Sequence, residues 1–146
     1  MKRLLLSLAF LLPLSATAER EIVILHTSDI HGGYASRPAR GTERQIGGFA
    51  VLANLAKAER RPKLLLDSGD LFQGTPEGNL TKGEASIALM NHLGYAAVAI
   101  GNHEYDFGEP NLRRLAKLAS FPMLGANIFR KRDGVRVSYA EARRIF

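Results

Sequence analysis

The chain has 146 residues, 46% of them hydrophobic and 23% charged, with 14 Gly and 6 Pro, a mixture that fits one globular domain and excludes a disordered or collagen-like chain. Twenty basic and fourteen acidic residues give a net charge of +6, which suits a small anionic ligand but not the clustered basic face that a nucleic-acid polymer needs. There is no cysteine, which excludes disulfides, thiolate metal sites and a thiol nucleophile. Any metal is left to His, Asp, Asn and carbonyl donors.

The first eighteen residues read as an export signal and not as part of the fold. Met1-Lys2-Arg3 is a positive start, Leu4 to Leu14 is a Leu-rich apolar run, and Ala16-Thr17-Ala18 matches an A-x-A cleavage site. The run is shorter than the roughly 20 residues a bilayer span takes, so no stable membrane span is expected. Residues 19–146 form the expected mature domain, periplasmic or extracellular, and loss of Lys2 and Arg3 lowers its charge to +4.

After the leader, Ile22 to Leu25 is a continuous β-branched and apolar run that predicts a buried strand. The polar loop Thr27-Ser28-Asp29-Ile30-His31-Gly32-Gly33 follows it. Apolar residues at helical spacing predict a helix over 45–60, stopped by Pro62. Lys63 to Leu66 predicts a second strand, running into Asp67-Ser68-Gly69-Asp70 and a loop with Gly74, Pro76 and Gly78. A helix is expected over 84–93, with Thr81 as N-cap and Gly94 as the closing glycine. Ala96 to Ile100 is the third strand, ending in Gly101-Asn102-His103-Glu104; a helix over 111–119 and a short strand over 123–126 follow. The segment 130–134 reads as a charged turn. Strand and helix in alternation predict an α/β fold, a largely parallel sheet with flanking helices.

The polar residues with chemical potential all follow strand ends. Asp29 and His31, then Asp70, then Asn102 and His103 each come just after a predicted strand. In an open parallel sheet these ends share one edge, where ligands bind. Together they offer hard oxygen and imidazole donors suited to Mn, Zn or Fe, and Asp70, on the middle loop, is placed to bridge two ions. Taken singly, His31 reads equally well as a turn cap, Asp70 as an Asx-turn residue and Asn102 as a left-handed turn residue, and Asp106 also reads as a simple turn residue before Phe107-Gly108. His26, on the strand, reads as packing or backbone bonding, and His92 as surface or core.

Three strings carry a resemblance. Asp29-Ile30-His31, Gly69-Asp70-Leu71-Phe72-Gln73-Gly74 and Gly101-Asn102-His103-Glu104-Tyr105-Asp106-Phe107-Gly108 resemble the first three metal-binding blocks of the calcineurin-like metallophosphoesterases. The wider string from Ile24 to Gly32 is similar to the secreted 5'-nucleotidase and UDP-sugar hydrolase branch. The resemblance implies an αββα layered domain, two divalent metal ions such as Mn or Zn, and a nucleotide or nucleotide-sugar substrate. It further implies Asp29 and His31 on one ion, Asp70 bridging, and Asn102 on the second. His103 would be no ligand: oriented by Asp106, it would stabilise phosphoryl charge or protonate the leaving oxygen. That division suits a phosphoryl transition state, whose charge gathers on equatorial and leaving oxygens.

The family's later blocks, which supply further histidines, have no counterpart: no histidine follows His103. The expectation is therefore the N-terminal part of such a domain, with residues 19–146 lacking the later metal blocks and the nucleoside-gripping domain, and with no turnover by itself. Two other readings stay open: a thiosulfohydrolase-like member of the same superfamily, or an inactive truncated remnant that binds metal. On processing, the intact mass of the exported protein is expected to place Glu19 first; an exported product that retains Met1 would contradict the signal.

Overall fold

The computed structural model describes residues 21–146, so the expected leader and its cleavage site lie outside the described residues. The elements run β1 (Val23–Thr27), β2 (Arg37–Pro38), β3 (Gln45–Ile46), α1 (Gly48–Ala58), β4 (Lys63–Asp67), α2 (Pro76–Leu80), α3 (Glu84–Leu93), β5 (Ala97–Ala99), a 3-10 turn at His103–Tyr105, α4 (Glu109–Leu118) and β6 (Met123–Leu124). Strands β1, β4, β5 and β6 form one parallel sheet in that order. Its register pairs Val23 with Lys63 through Thr27 with Asp67, then Leu66 with Ala97, and Val98 with Met123. The predicted α/β architecture is what is observed.

Four local differences have physical causes. The first helix begins at Gly48 and not near residue 45, because Gln45–Ile46 pairs antiparallel with Arg37–Pro38 as a small ribbon. The loop after β4 holds the short helix α2, started by Pro76 and capped by Thr75, whose hydroxyl accepts from Gly78 N at 3.1 Å. Thr81, the expected cap of the next helix, ends α2 and Gly83 stands directly before α3, but the Thr81 hydroxyl still accepts from Ala85 N of α3 at 3.4 Å. Gly94 closes α3 in the left-handed region (φ 74°), as its sequence position predicts. The fourth helix starts two residues early, since Pro110 needs no amide partner in a first turn.

Because the strand order runs in one direction, right-handed crossovers put the helices on one face of the sheet. That face carries the core: Leu65, Val98 and Met123 from the strands pack with Ile87 and Met90 of α3, Leu112 and Leu115 of α4, and Phe72. Each such buried side chain contributes about 1.5–3 kcal/mol. On the other face Ile24 is 63% exposed. The helical layer thus holds the sheet rigid while its carboxyl edge stays free to present loops.

Candidate functional site

The loops after β1, β4 and β5 meet at the carboxyl edge, and backbone hydrogen bonds lock the first two together beyond the strands. Asp29 N donates to Gly69 O at 3.1 Å, His31 N to Asp70 O at 2.9 Å, and Gly32 N to Leu71 O at 3.0 Å. Asp29, His31 and Asp70 all lie in the left-handed region, with φ of 54°, 49° and 61°. That conformation costs a non-glycine residue about 1 kcal/mol or more, so the interloop bonds hold these three where their side chains converge.

The convergence is tight. His31, Asp70 and His103 each offer one donor atom, and these atoms lie within 4.8 Å of one another. His31 Nδ1 bonds Gln73 O at 2.7 Å, leaving Nε2 free, 3.7 Å from Asp29 Oδ1. The rings of His31 and His103 meet edge to face at 5.1 Å. Asp70 Oδ1 accepts from His103 N at 2.9 Å, and its other oxygen takes no hydrogen bond among the described residues. Gly101 packs directly against this carboxylate, where a Cβ would overlap Asp70 Oδ1. Imidazole and carboxylate donors this close, with free lone pairs, fit a divalent cation of intermediate hardness.

His103 Nδ1 is held by Asp106 Oδ2 at 2.7 Å. This hydrogen bond, more than the charges of Asp106, Asp70 and Glu104, raises the His103 pKa above its ordinary value. Asn102 is exposed at the head of the 3-10 turn, with φ −77°, so the left-handed turn reading does not describe it. His26 bonds a side chain and not backbone: its Nε2 lies 2.6 Å from Ser68 Oγ. His92 is exposed on α3.

Two buried carboxylates that the sequence reading left without a role hold the loops. Glu104, 1% exposed, accepts from Asp70 N at 2.9 Å, Leu71 N at 2.8 Å and Gly101 N at 2.6 Å. It therefore ties the loop after β4 to the loop after β5. Its signal in the sequence was only an acidic residue directly after the histidine, which periodicity cannot read as buried. Asp67, the last residue of β4, accepts from Gly69 N at 2.6 Å and from Thr27 Oγ1 at 2.6 Å, and that hydroxyl meets Tyr95 OH at 2.7 Å. Burial raises the Asp67 pKa and pushes the Tyr95 phenol up to about 12. Here period-two alternation from Leu65 was a usable signal that Asp67 faces inward.

Comparison with known proteins identifies the family. The family model for calcineurin-like phosphoesterase matches residues 22–138. The chain is 40% identical over 137 residues to 5'-nucleotidase of Rattus norvegicus, which takes in 87% of this chain and 24% of that protein. The crystal structure of a 5'-nucleotidase precursor from Thermus thermophilus superimposes with a TM-score of 0.65 at 35% identity, covering 75% of this chain and 23% of the other. The sulfate thiohydrolase SoxB of Thermus thermophilus reaches a TM-score of 0.68 over 80% of this chain and 31% of its own, but at 22% identity it shows a shared fold alone. The chain thus spans about a quarter of the length of the rat relative.

Two outcomes follow from this geometry. Glu104→Ala strands three amides that a carboxylate now satisfies, and is expected to cost about 3 kcal/mol in denaturant unfolding, with Glu104→Gln costing less. Hydrogen exchange at Asp70, Leu71 and Gly101 should quicken selectively; unchanged exchange there would remove the clamp. In the metal-free chain, an NMR titration should find the His103 pKa above that of a free histidine and lowered by Asp106→Asn. Because the folded-state value is the raised one, the stability this pair contributes is fully present below the unfolded pKa and is lost as pH rises through the folded one.

Proposed function

The chain belongs to the calcineurin-like phosphoesterase family, and from that premise we propose that its loop cluster serves a dinuclear-metal-dependent hydrolase of nucleotide phosphoesters. The observation that carries this reading is the convergence of three loops far apart in sequence, which brings donor atoms of His31, Asp70 and His103 within 4.8 Å; His31 and Asp70 are assigned to metal, and His103, whose Nδ1 is taken by Asp106, to acid–base work. Asp29 and His31 would hold one divalent ion, Asp70 would sit between two, and Asn102 would hold the second. Divalent ions bound there supply positive charge to the phosphoryl and leaving oxygens and make water a better nucleophile at neutral pH. The nucleotide substrate class is supported by the 40% identity to rat 5'-nucleotidase. Sulfate ester chemistry has only a fold likeness behind it.

The chain's own residues define the rest. Asp106 fixes the His103 ring through Nδ1, which aims Nε2 at the space shared with Asp70 and His31. In the metal-free chain the same hydrogen bond raises the His103 pKa. Imidazolium Nε2–H can donate to a phosphoryl oxygen or give its proton to the leaving oxygen. Asp106 is then a positioning residue: it keeps the tautomer and orientation that this donation needs. The leader sequence supports an exported site of action, outside the cytoplasm.

Metal counting tests the assignment. Asp70→Asn should lower occupancy of both ions, whereas Asn102→Ala should mainly empty one; equal single-ion losses would mean independent sites. His103→Asn should leave metal content near normal and, in an active protein that contains these loops, cut 5'-nucleotide turnover by a factor of order 10² to 10⁴. If His103→Asn strips an ion instead, the histidine is a ligand and its assigned role is wrong.

A further inference from the structure

The metal loops draw on the acidic part of the chain and leave a basic part without a role. Residues 112–146 carry nine Lys or Arg against Asp133 and Glu141, whereas residues 21–111 carry eight against eleven acidic residues. Much of this charge gathers in one groove of about 690 Å³, lined among others by Arg113, Arg130, Lys131, Arg132, Phe129 and Tyr139. Tyr105 of the 3-10 turn and Asn127, in the loop after β6, both line it.

The guanidinium groups here are pre-oriented in a common way. Arg113 donates through Nε to Glu109 at 3.0 Å, and Arg130 and Arg132 donate through Nε to the two oxygens of Asp133, each at 3.1 Å. Three carboxylate oxygens thus hold three arginines by the inner nitrogen, and their terminal Nη groups take no protein acceptor among the described residues. The aromatic wall is braced as well. Arg136 lies 4.8 Å over the Phe129 ring and donates to Gly125 O and Ala126 O, while Tyr139 OH meets Tyr105 OH at 3.0 Å beneath Arg113. Phe129 stays 51% exposed.

Guanidinium forks match phosphate oxygens in pairs, and Lys131 adds an ammonium with three donors and no acceptor among the described residues. One phosphate cannot engage three forks and an ammonium; a chain of phosphates can. We propose that this groove is a binding site for anions with two or more linked phosphates, either inorganic polyphosphate or the polyphosphate arm of a nucleotide. Held arginines lose less side-chain entropy on binding than free ones do. The site does not need the metal ions, so it stands or falls apart from the hydrolase reading.

Calorimetric titration of the chelator-treated chain with inorganic tripolyphosphate tests it. One-to-one binding is expected, weakened about tenfold or more by the double substitution Lys131→Glu with Arg132→Glu, both exposed positions. The control Arg37→Glu with Arg40→Glu makes the same charge change far along the sequence; an equal loss there would reduce the effect to net charge and overturn the site. Adenosine triphosphate is titrated beside it. Tighter binding that falls back to the tripolyphosphate level in Phe129→Ala identifies a nucleotide arm, and equal binding in both proteins identifies free polyphosphate. Absence of tripolyphosphate binding overturns the proposal, as does a single-stranded RNA that binds more tightly and is lost in the same variant, which would make the groove a polymer surface.

Discussion

Glu104 places a carboxylate where almost no water reaches it, and three backbone amides from two loops converge on its oxygens. A buried charge is costly unless hydrogen bonds compensate it, and here two oxygens receive three donors. Asp70 takes its position from this carboxylate through its own amide, and His103 takes its position from Asp70 through the Asp70 Oδ1 bond to its amide. The candidate ligand Asp70 and the acid–base candidate His103, on two loops, therefore share one anchor. The strained conformations of Asp29, His31 and Asp70 persist because that anchor and the interloop ladder over-determine them.

The lower layers of the site serve the same end. Asp67 and Thr27 are paired across β1 and β4, and the Tyr95 hydroxyl completes a buried polar row directly below the loops. Gly69 and Gly101 keep the two loops in backbone contact, where any side chain would push them apart. A hydrolytic site needs donor atoms fixed before substrate arrives, since misplacement by about 1 Å costs orders of magnitude in rate. Rigidity comes from the core beneath the sheet, and precision comes from the polar row above it.

Charge is divided along the molecule in a way that suits anionic chemistry. Carboxylates and imidazoles occupy the loops after the first three sheet strands, where cations would neutralise them. Arginines held by Glu109 and Asp133 occupy the region after the fourth. Self-repulsion among the basic groups is limited by these pairings, which are surface ion pairs of small stabilising value and gain importance through orientation.

The sequence alone determined the chain order of the four sheet strands and the three longer helices between them, the shared edge of the strand ends, and three residues that meet there, His31, Asp70 and His103. Each depends on local chemistry: a buried parallel strand must be continuously apolar, a helix must stop before Pro62, and Gly94 must close the helix before it. The pairing of His103 with Asp106 was implied by the resemblance of the third string, and the tight turn between them brings the two within 2.7 Å. Tertiary structure alone decided the rest. The pairing of Arg37–Pro38 with Gln45–Ile46 shortened the first helix, and two residues per strand carry too little pattern to read in advance. Glu104 and Asp67 became structural anchors because amides distant in sequence were folded onto them, and no local signal separates such a carboxylate from a solvated one. The arginine groove was hidden for the same reason: net charge counts residues, and only folding brings Arg113 into one groove with Arg130 and Arg132.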